Sequence, residues 1–142
     1  MTELFLDTSF AIALTVPGDA FHAIAVQWAE KLRKERALLV TTQGILAEIG
    51  DSFSRPPHRV VGSKLLFSLQ RDPQVLVLAV DDSIFTQACH LFADRVDKTW
   101  GLTDCISFSI MSERGITSAL TTDRHFKQAG FRALLREPSL II

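Results

Sequence analysis

The chain is predicted to be an α/β protein built on a mostly parallel sheet with helices on its faces. Short apolar runs of strand type alternate with longer stretches of helical period, the pattern of sheets whose strands are joined by helical crossovers. No repeat, heptad series, low-complexity tract or long polar linker interrupts the alternation, so one domain is expected over residues 1–142. The first strand is expected at Leu4–Leu6, followed by helical pattern over Phe10–Val16 that Pro17-Gly18 ends. Ala20–Glu35 sets Phe21, Ile24, Trp28 and Leu32 on one face at steps of three or four, which predicts an amphipathic helix. Leu38–Thr41 is the second strand. In the next helix, Gln43–Phe53, the apolar stripe is Ile45, Leu46, Ile49 and Phe53, with Glu48 on its flank. Pro56-Pro57 then separates it from helical pattern over Val60–Arg71. A third strand at Val75–Ala79 leads into a helix over Ser83–Val96. In Thr103–Arg114 the apolar residues Cys105, Ile106, Phe108, Ile110 and Met111 spread round the whole circumference, which predicts a mostly buried helix. Strands at Thr117–Thr121 and Arg132–Leu135 close the series. Of the aromatic residues, Phe21, Phe53, Phe67, Phe85, Phe92 and Phe108 are expected to face inward, and Trp100, beside a turn, is the one placed to reach a site.

Composition excludes several classes. With 47% hydrophobic and 22% charged residues, 15 Lys+Arg against 16 Asp+Glu and a net charge of -1, no whole-chain attraction to a polyanion exists, and any nucleic acid must meet a local patch. No uncharged run exceeds 11 residues, short of the roughly 20 of a spanning helix, and the N-terminus opens with Glu3 and Asp7 instead of a basic leader. A cytoplasmic protein without membrane attachment is expected. Cys89 and Cys105 form no CxxC pattern, so neither a disulfide framework nor a thiolate metal site is indicated, and both are expected to be reduced and partly buried.

Four acids stand out. Asp7 follows the first strand, Asp104 opens the buried helix, Asp123 follows the fourth strand, and Glu48 flanks an apolar stripe. In open α/β sheets ligands bind beyond the C-terminal strand ends, which is where Asp7 and Asp123 are expected to project, with Asp104 joining from the side. Taken singly, each Asp reads as well as a helix cap, and Glu48 as part of a solvated face. Taken together, two carboxylates ~4 Å apart repel by about 4 kcal/mol at an effective dielectric near 20. Convergence therefore demands protonation or a hard divalent cation. Because His22, His58, His90 and His125 form no HxxxH pair, the ligation expected is all-oxygen, selecting magnesium or manganese. Such an ion suits phosphodiester hydrolysis, with activated water attacking in line and no side-chain nucleophile. A nucleophilic-aspartate phosphatase would want an acid where Ser9 stands, and a dinucleotide fold would want GxGxxG after Leu6.

The strings Leu6-Asp7-Thr8-Ser9-Phe10, Leu46-Ala47-Glu48-Ile49, Trp100 through Phe108 and Leu120-Thr121-Thr122-Asp123-Arg124-His125-Phe126 resemble the PIN-domain ribonucleases, and among them the VapC-like toxins. The resemblance covers nearly the whole chain, and the order Asp, Glu, Asp, Asp with the third and fourth acids 19 residues apart is specific when taken together. The resemblance implies a three-layer α/β/α sandwich and a metal-dependent endoribonuclease, the toxin of a toxin–antitoxin pair. It implies that Asp7, Asp104 and Asp123 hold magnesium or manganese, that Glu48 binds a second ion or positions water, and that Thr8, Thr103 and Thr121 hold the carboxylates by hydroxyl bonds. It also implies an RNA substrate, a cognate antitoxin and a homodimer. The alternative is a non-catalytic RNA-binding or regulatory module that keeps the fold.

Charge is segregated along the chain. Arg55–Arg71 and Arg124–Arg136 each carry four cations and no acid. Phosphate contacts positioning a strand beside the acids are therefore expected from Arg55, Arg59, Arg124 and Lys127.

Overall fold

A computed structural model of the chain describes residues 2–141. The elements run β1 (Glu3–Leu6), α1 (Thr8–Thr15), α2 (His22–Glu35), β2 (Leu38–Thr42), α3 (Gln43–Ser52), α4 (Arg59–Arg71), β3 (Val75–Leu78), α5 (Asp82–Asp94), α6 (Leu102–Arg114), β4 (Ser118–Leu120), α7 (Arg124–Gln128) and β5 (Arg132–Ala133). All strand pairs are parallel, and the order across the sheet is β3-β2-β1-β4-β5. β1 is central, and its consecutive residues Leu4, Phe5 and Leu6 are all buried. Because neighbouring side chains on a strand point to opposite faces, helices must cover both sides of the sheet. The α/β/α sandwich is the result.

Each expected strand exists. The last is shorter than expected, because after Arg132–Ala133 the chain tightens into a 3₁₀ turn over Leu134–Arg136. The short helix α7 has no counterpart in the sequence reading. Its five residues are too few to show a period, and what anchors it is Phe126, fully buried and stacked edge-on against Phe108 at 5.0 Å.

Seven consecutive residues of α6, Cys105–Met111, are buried, as its all-round apolar pattern requires. Gly115 ends it in the left-handed conformation, at φ 70°, where any Cβ would be strained.

The core departs from expectation on α4 and α5. Phe67, Phe85 and Phe92 are 54%, 45% and 53% exposed, where an inward position was expected. On α5 the inward arc is taken by Ile84, Ala88 and Leu91, so Phe85, Cys89 and Phe92 form a second apolar stripe facing out, with Val96 exposed just beyond the helix. Cys89 is accordingly exposed, whereas Cys105 is buried. On α4, Leu65, Leu66 and Leu69 pack on the core and leave Val60, Val61 and Phe67 outside. Among the described residues no helix is long and apolar enough to cross a membrane.

Candidate active site

The strand order puts β2 and β3 on one side of β1 and β4 and β5 on the other, so the direction of winding reverses between β1 and β4 and a crevice opens beyond their C-terminal ends. Asp7 and Asp123 leave those two strand ends. Both line an open cleft of about 790 Å³, together with Thr8, Glu48, His125, Arg124 and Arg136.

Asp7 sits at the N-cap of α1, yet its side chain makes no capping bond. Its Oδ2 instead accepts hydrogen bonds from Thr121 Oγ1 at 2.6 Å and Ser9 Oγ at 2.9 Å. The carboxyl is only 6% exposed. Burial outweighs the two hydroxyls, and with the Glu48 charge adding to it the Asp7 carboxyl is pushed up to about 6. Thr121 also accepts from the Asp123 backbone N–H at 2.9 Å, and Ser9 accepts from that of Thr122 at 3.0 Å. Two hydroxyls thus stitch the β1 end to the β4 end.

Glu48 arrives from α3, whose start is fixed by Thr42 accepting from Ile45 N–H at 3.2 Å. Its Oε1 accepts from Thr8 Oγ1 at 2.5 Å. Burial raises the Glu48 carboxyl above its ordinary value, Thr8 opposes this, and the charges of Asp104, Asp123 and Asp51 raise it further. Repulsion from Asp104 and Asp123 is the electrostatic mark of acids gathered from four separate elements.

Asp104 stands in the first turn of α6, where its Oδ2 accepts the Gly101 N–H at 3.0 Å. Glycine has no side chain with which to reciprocate, so this is a one-way cap. Asp123 caps α7 through Oδ1, which accepts the His125 N–H at 2.8 Å. The His125 ring lies between these two acids, with Nδ1 3.1 Å from Asp104 Oδ2 and 3.5 Å from Asp123 Oδ1. Nε2 lies 3.3 Å from Thr99 Oγ1. One ligating atom from each of Asp104, Asp123 and His125 falls within 4.8 Å of the other two. A histidine two residues beyond Asp123 thus joins the acids without any HxxxH spacing.

Of the three threonines expected to hold carboxylates, Thr8 bonds Glu48 and Thr121 bonds Asp7. Thr103 instead turns its methyl toward Gly44, where a Cβ would lie 3.8 Å away. Ser9 and His125 are additions that only the folded geometry makes visible. Trp100 is 5% exposed, packed edge-on against Phe108 at 5.1 Å and covered by Arg95 at 4.9 Å. It is a core residue, and its Nε1 donates to Gln128 Oε1 at 3.0 Å on the cleft wall.

Cations flank the acids unequally. Arg124 lines the cleft and also an adjoining groove of about 770 Å³ that holds Lys127 and Arg132. Arg136 lines both as well; its Nε donates to the Thr122 carbonyl, and its guanidinium lies 5.4 Å over the Phe21 ring. Arg59 donates to the Ser54 carbonyl at 2.9 Å and lines a different groove, between α3 and α4, while Arg55 is exposed on the turn joining those helices. Neither lines the carboxylate cleft.

Among the described residues, none of the four acids has a Lys or Arg partner within 4.0 Å. Their charge is met only by hydroxyls, backbone N–H groups and one imidazole. That donor set fits a divalent cation.

Residues 4–132 match the PIN domain family. Over 130 aligned residues, 90% of this chain and 95% of the relative, the chain is 29% identical to the 23S rRNA-specific endonuclease VapC20 of Mycobacterium tuberculosis, in strains CDC 1551 / Oshkosh and ATCC 25618 / H37Rv alike. The crystal structure of M. tuberculosis VapC20, a Sarcin-Ricin loop cleaving toxin, superposes with a TM-score of 0.80 at 25% identity, covering 92% of this chain and 97% of that one. VapBC2 of Rickettsia felis, bound to a DNA fragment from their promoter, shares the fold, with a TM-score of 0.70 at 13% identity over 92% and 96% of the two chains.

Proposed function

This chain belongs to the PIN-domain family, and from that premise we propose that it hydrolyses RNA phosphodiester bonds as the toxin of a cytoplasmic toxin–antitoxin pair, using magnesium or manganese. The observation that carries the reading is the cleft itself: Asp7, Glu48 and Asp123 line it beside Arg124 and Arg136, Asp104 is joined to Asp123 through the His125 ring, and among the described residues no arginine or lysine lies within 4.0 Å of the four carboxylates.

Asp7, Asp104 and Asp123 are the residues to hold the ion, and Glu48 borders the same space. When bound, the ion supplies a lowered water pKa and neutralises charge developing on phosphorus. Glu48, fixed by Thr8, accepts a hydrogen bond from the attacking water and holds it in line. Ser9 and Thr121 lock the rotamer of Asp7 so that one oxygen stays turned to the cleft. Arg124 and Arg136 hold phosphate oxygens on either side of the scissile bond, and Lys127 continues the track along the adjoining groove. Arg55 and Arg59 extend it only if the RNA also crosses the α3–α4 turn. The exposed apolar stripes of α4 and α5 are the surfaces for an antitoxin and for a second copy of the chain.

The test uses purified, partner-free chain with single-stranded RNA, hairpin RNA and a 23S ribosomal loop, in magnesium, manganese or EDTA, beside Asp7→Asn and Asp104→Asn. Cleavage is expected only with metal and only with both carboxylates, the variants keeping a native circular dichroism spectrum. Equal cleavage in EDTA, or by the folded variants, would overturn the assignment.

A further inference from the structure

Resting on the reading of this cleft as a divalent-ion site, we propose that His125 is itself a ligand, completing with Asp104 and Asp123 a mixed nitrogen–oxygen site that takes manganese in preference to magnesium. The geometry is that of neighbouring ligands on one ion. In an octahedron with bonds of about 2.0–2.1 Å, adjacent ligand atoms lie about 2.9 Å apart. Nδ1 of His125 lies 3.1 Å from Asp104 Oδ2 and 3.5 Å from Asp123 Oδ1, close to that spacing on two of the three edges, and one ligating atom of each residue lies within 4.8 Å of the other two.

The ring is also held the way a ligating imidazole is held. Metal-bound histidines pass their other ring N–H to an oxygen outside the site, which fixes tautomer and orientation. Here that oxygen is Thr99 Oγ1, 3.3 Å from Nε2. A hydroxyl both donates and accepts. Thr99 can therefore meet Nε2 in either tautomer, and the tautomer in which Nε2–H donates to it leaves the Nδ1 lone pair free for a metal. The backbone contributes too, because the His125 N–H to Asp123 Oδ1 bond of 2.8 Å ties the ring's own residue to the neighbouring ligand. The preference follows from the donor set. Magnesium favours an almost all-oxygen shell and dehydrates reluctantly, whereas manganese shares its taste for carboxylates and, as a first-row transition ion, loses less when one oxygen donor is an imidazole nitrogen.

The experiment reads coordination directly, with no RNA present. The 142-residue chain carrying ¹⁵N-histidine is loaded with one equivalent of manganese and examined by electron spin echo modulation beside the ¹⁴N form. His125→Asn, which offers an amide oxygen near the Nδ1 position, and His125→Gln are titrated with manganese and magnesium by calorimetry. A strong nitrogen coupling that changes with the isotope, and a loss of manganese affinity of about tenfold or more in both variants with a smaller loss for magnesium, is expected. Manganese bound at one equivalent without imidazole coupling overturns the histidine assignment and leaves the ion-site reading standing. Absence of manganese binding to the folded wild-type chain overturns both. Because the isotope measurement needs no substitution, it decides the question even if a variant fails to fold.

Discussion

At the residue scale the decisive group is Asp7. It is nearly buried and meets two hydroxyls but no cation, so its ionisation is resisted by desolvation. With the carboxyl at about 6 in the fold against 3.8 unfolded, the folded chain holds the proton more tightly than the unfolded chain does. Its contribution to stability is therefore full below about pH 4 and lost as the pH rises through 6. In EDTA the Asp7 contribution is expected to fall by about 2 kcal/mol between pH 4 and 7, at 1.36 kcal/mol per pKa unit. Asp7→Asn flattens that fall, and Thr121→Val, which removes a donor to the ionised carboxylate, moves it to higher pH. Thermal melts across pH check both; a pH profile of Asp7→Asn parallel to that of wild type would show that Asp7 is not the group responsible. Thr121→Val is also expected to lower cleavage about 10–100-fold, the usual effect of losing a bond that orients a ligand. The acids themselves were legible in the sequence, because strand ends and spacing locate them. Ser9 and His125 were not, since a serine two residues after an aspartate and a lone histidine carry no local pattern.

At the element scale, periodicity identified α2, α3, α4, α5 and α6 and the parallel strands, and it failed where two apolar stripes share one helix. On α5 the pattern alone does not say whether Ile84 and Ala88 or Phe85 and Phe92 turn inward; packing against α6 decides it. Small residues matter where helices touch. A Cβ on Gly62 of α4 would lie 2.5 Å from Phe53 Cβ, whereas one on Gly50 of α3 would meet only Leu66 Cδ1, at 3.6 Å. Gly62→Ala is expected to destabilise the chain by about 1–3 kcal/mol through overpacking. Gly50→Ala, across the same interface, is expected to be neutral or to stabilise by up to about 1 kcal/mol through helix propensity. Urea denaturation of the pair separates steric exclusion from propensity. Equal effects would mean that α3 and α4 are not packed as closely as described.

At the scale of the whole molecule, a net charge of -1 conceals a division of surface. Acids fill the cleft at the strand ends, and Arg124, Lys127, Arg132 and Arg136 border it and the groove beside it. RNA binding is thus expected to be strongly salt-dependent despite the near-neutral chain. Measured with Asp104→Asn to prevent turnover, Arg124→Ala and Arg136→Ala are each expected to reduce the slope of log affinity against log salt by about 0.7, the single-strand value per phosphate contact. Arg59→Ala serves as the contrast, because that guanidinium lines a different groove from the carboxylate cleft, and no change is expected there. A slope indifferent to Arg124 and Arg136 would place the RNA elsewhere.

What the sequence determined by itself is what short-range regularity encodes: alternating strand and helix, a helix buried on all sides, and acids set at the ends of strands where a parallel sheet must open. Which atoms meet across the cleft was decided only by the tertiary structure. Thr8 reaches a glutamate 40 residues away, Thr121 an aspartate 114 residues away, and His125 an acid 21 residues away. Those meetings depend on strand order and on the pitch of one helix against another. Neither leaves a periodic trace in the chain, because each is fixed by the packing of the entire core.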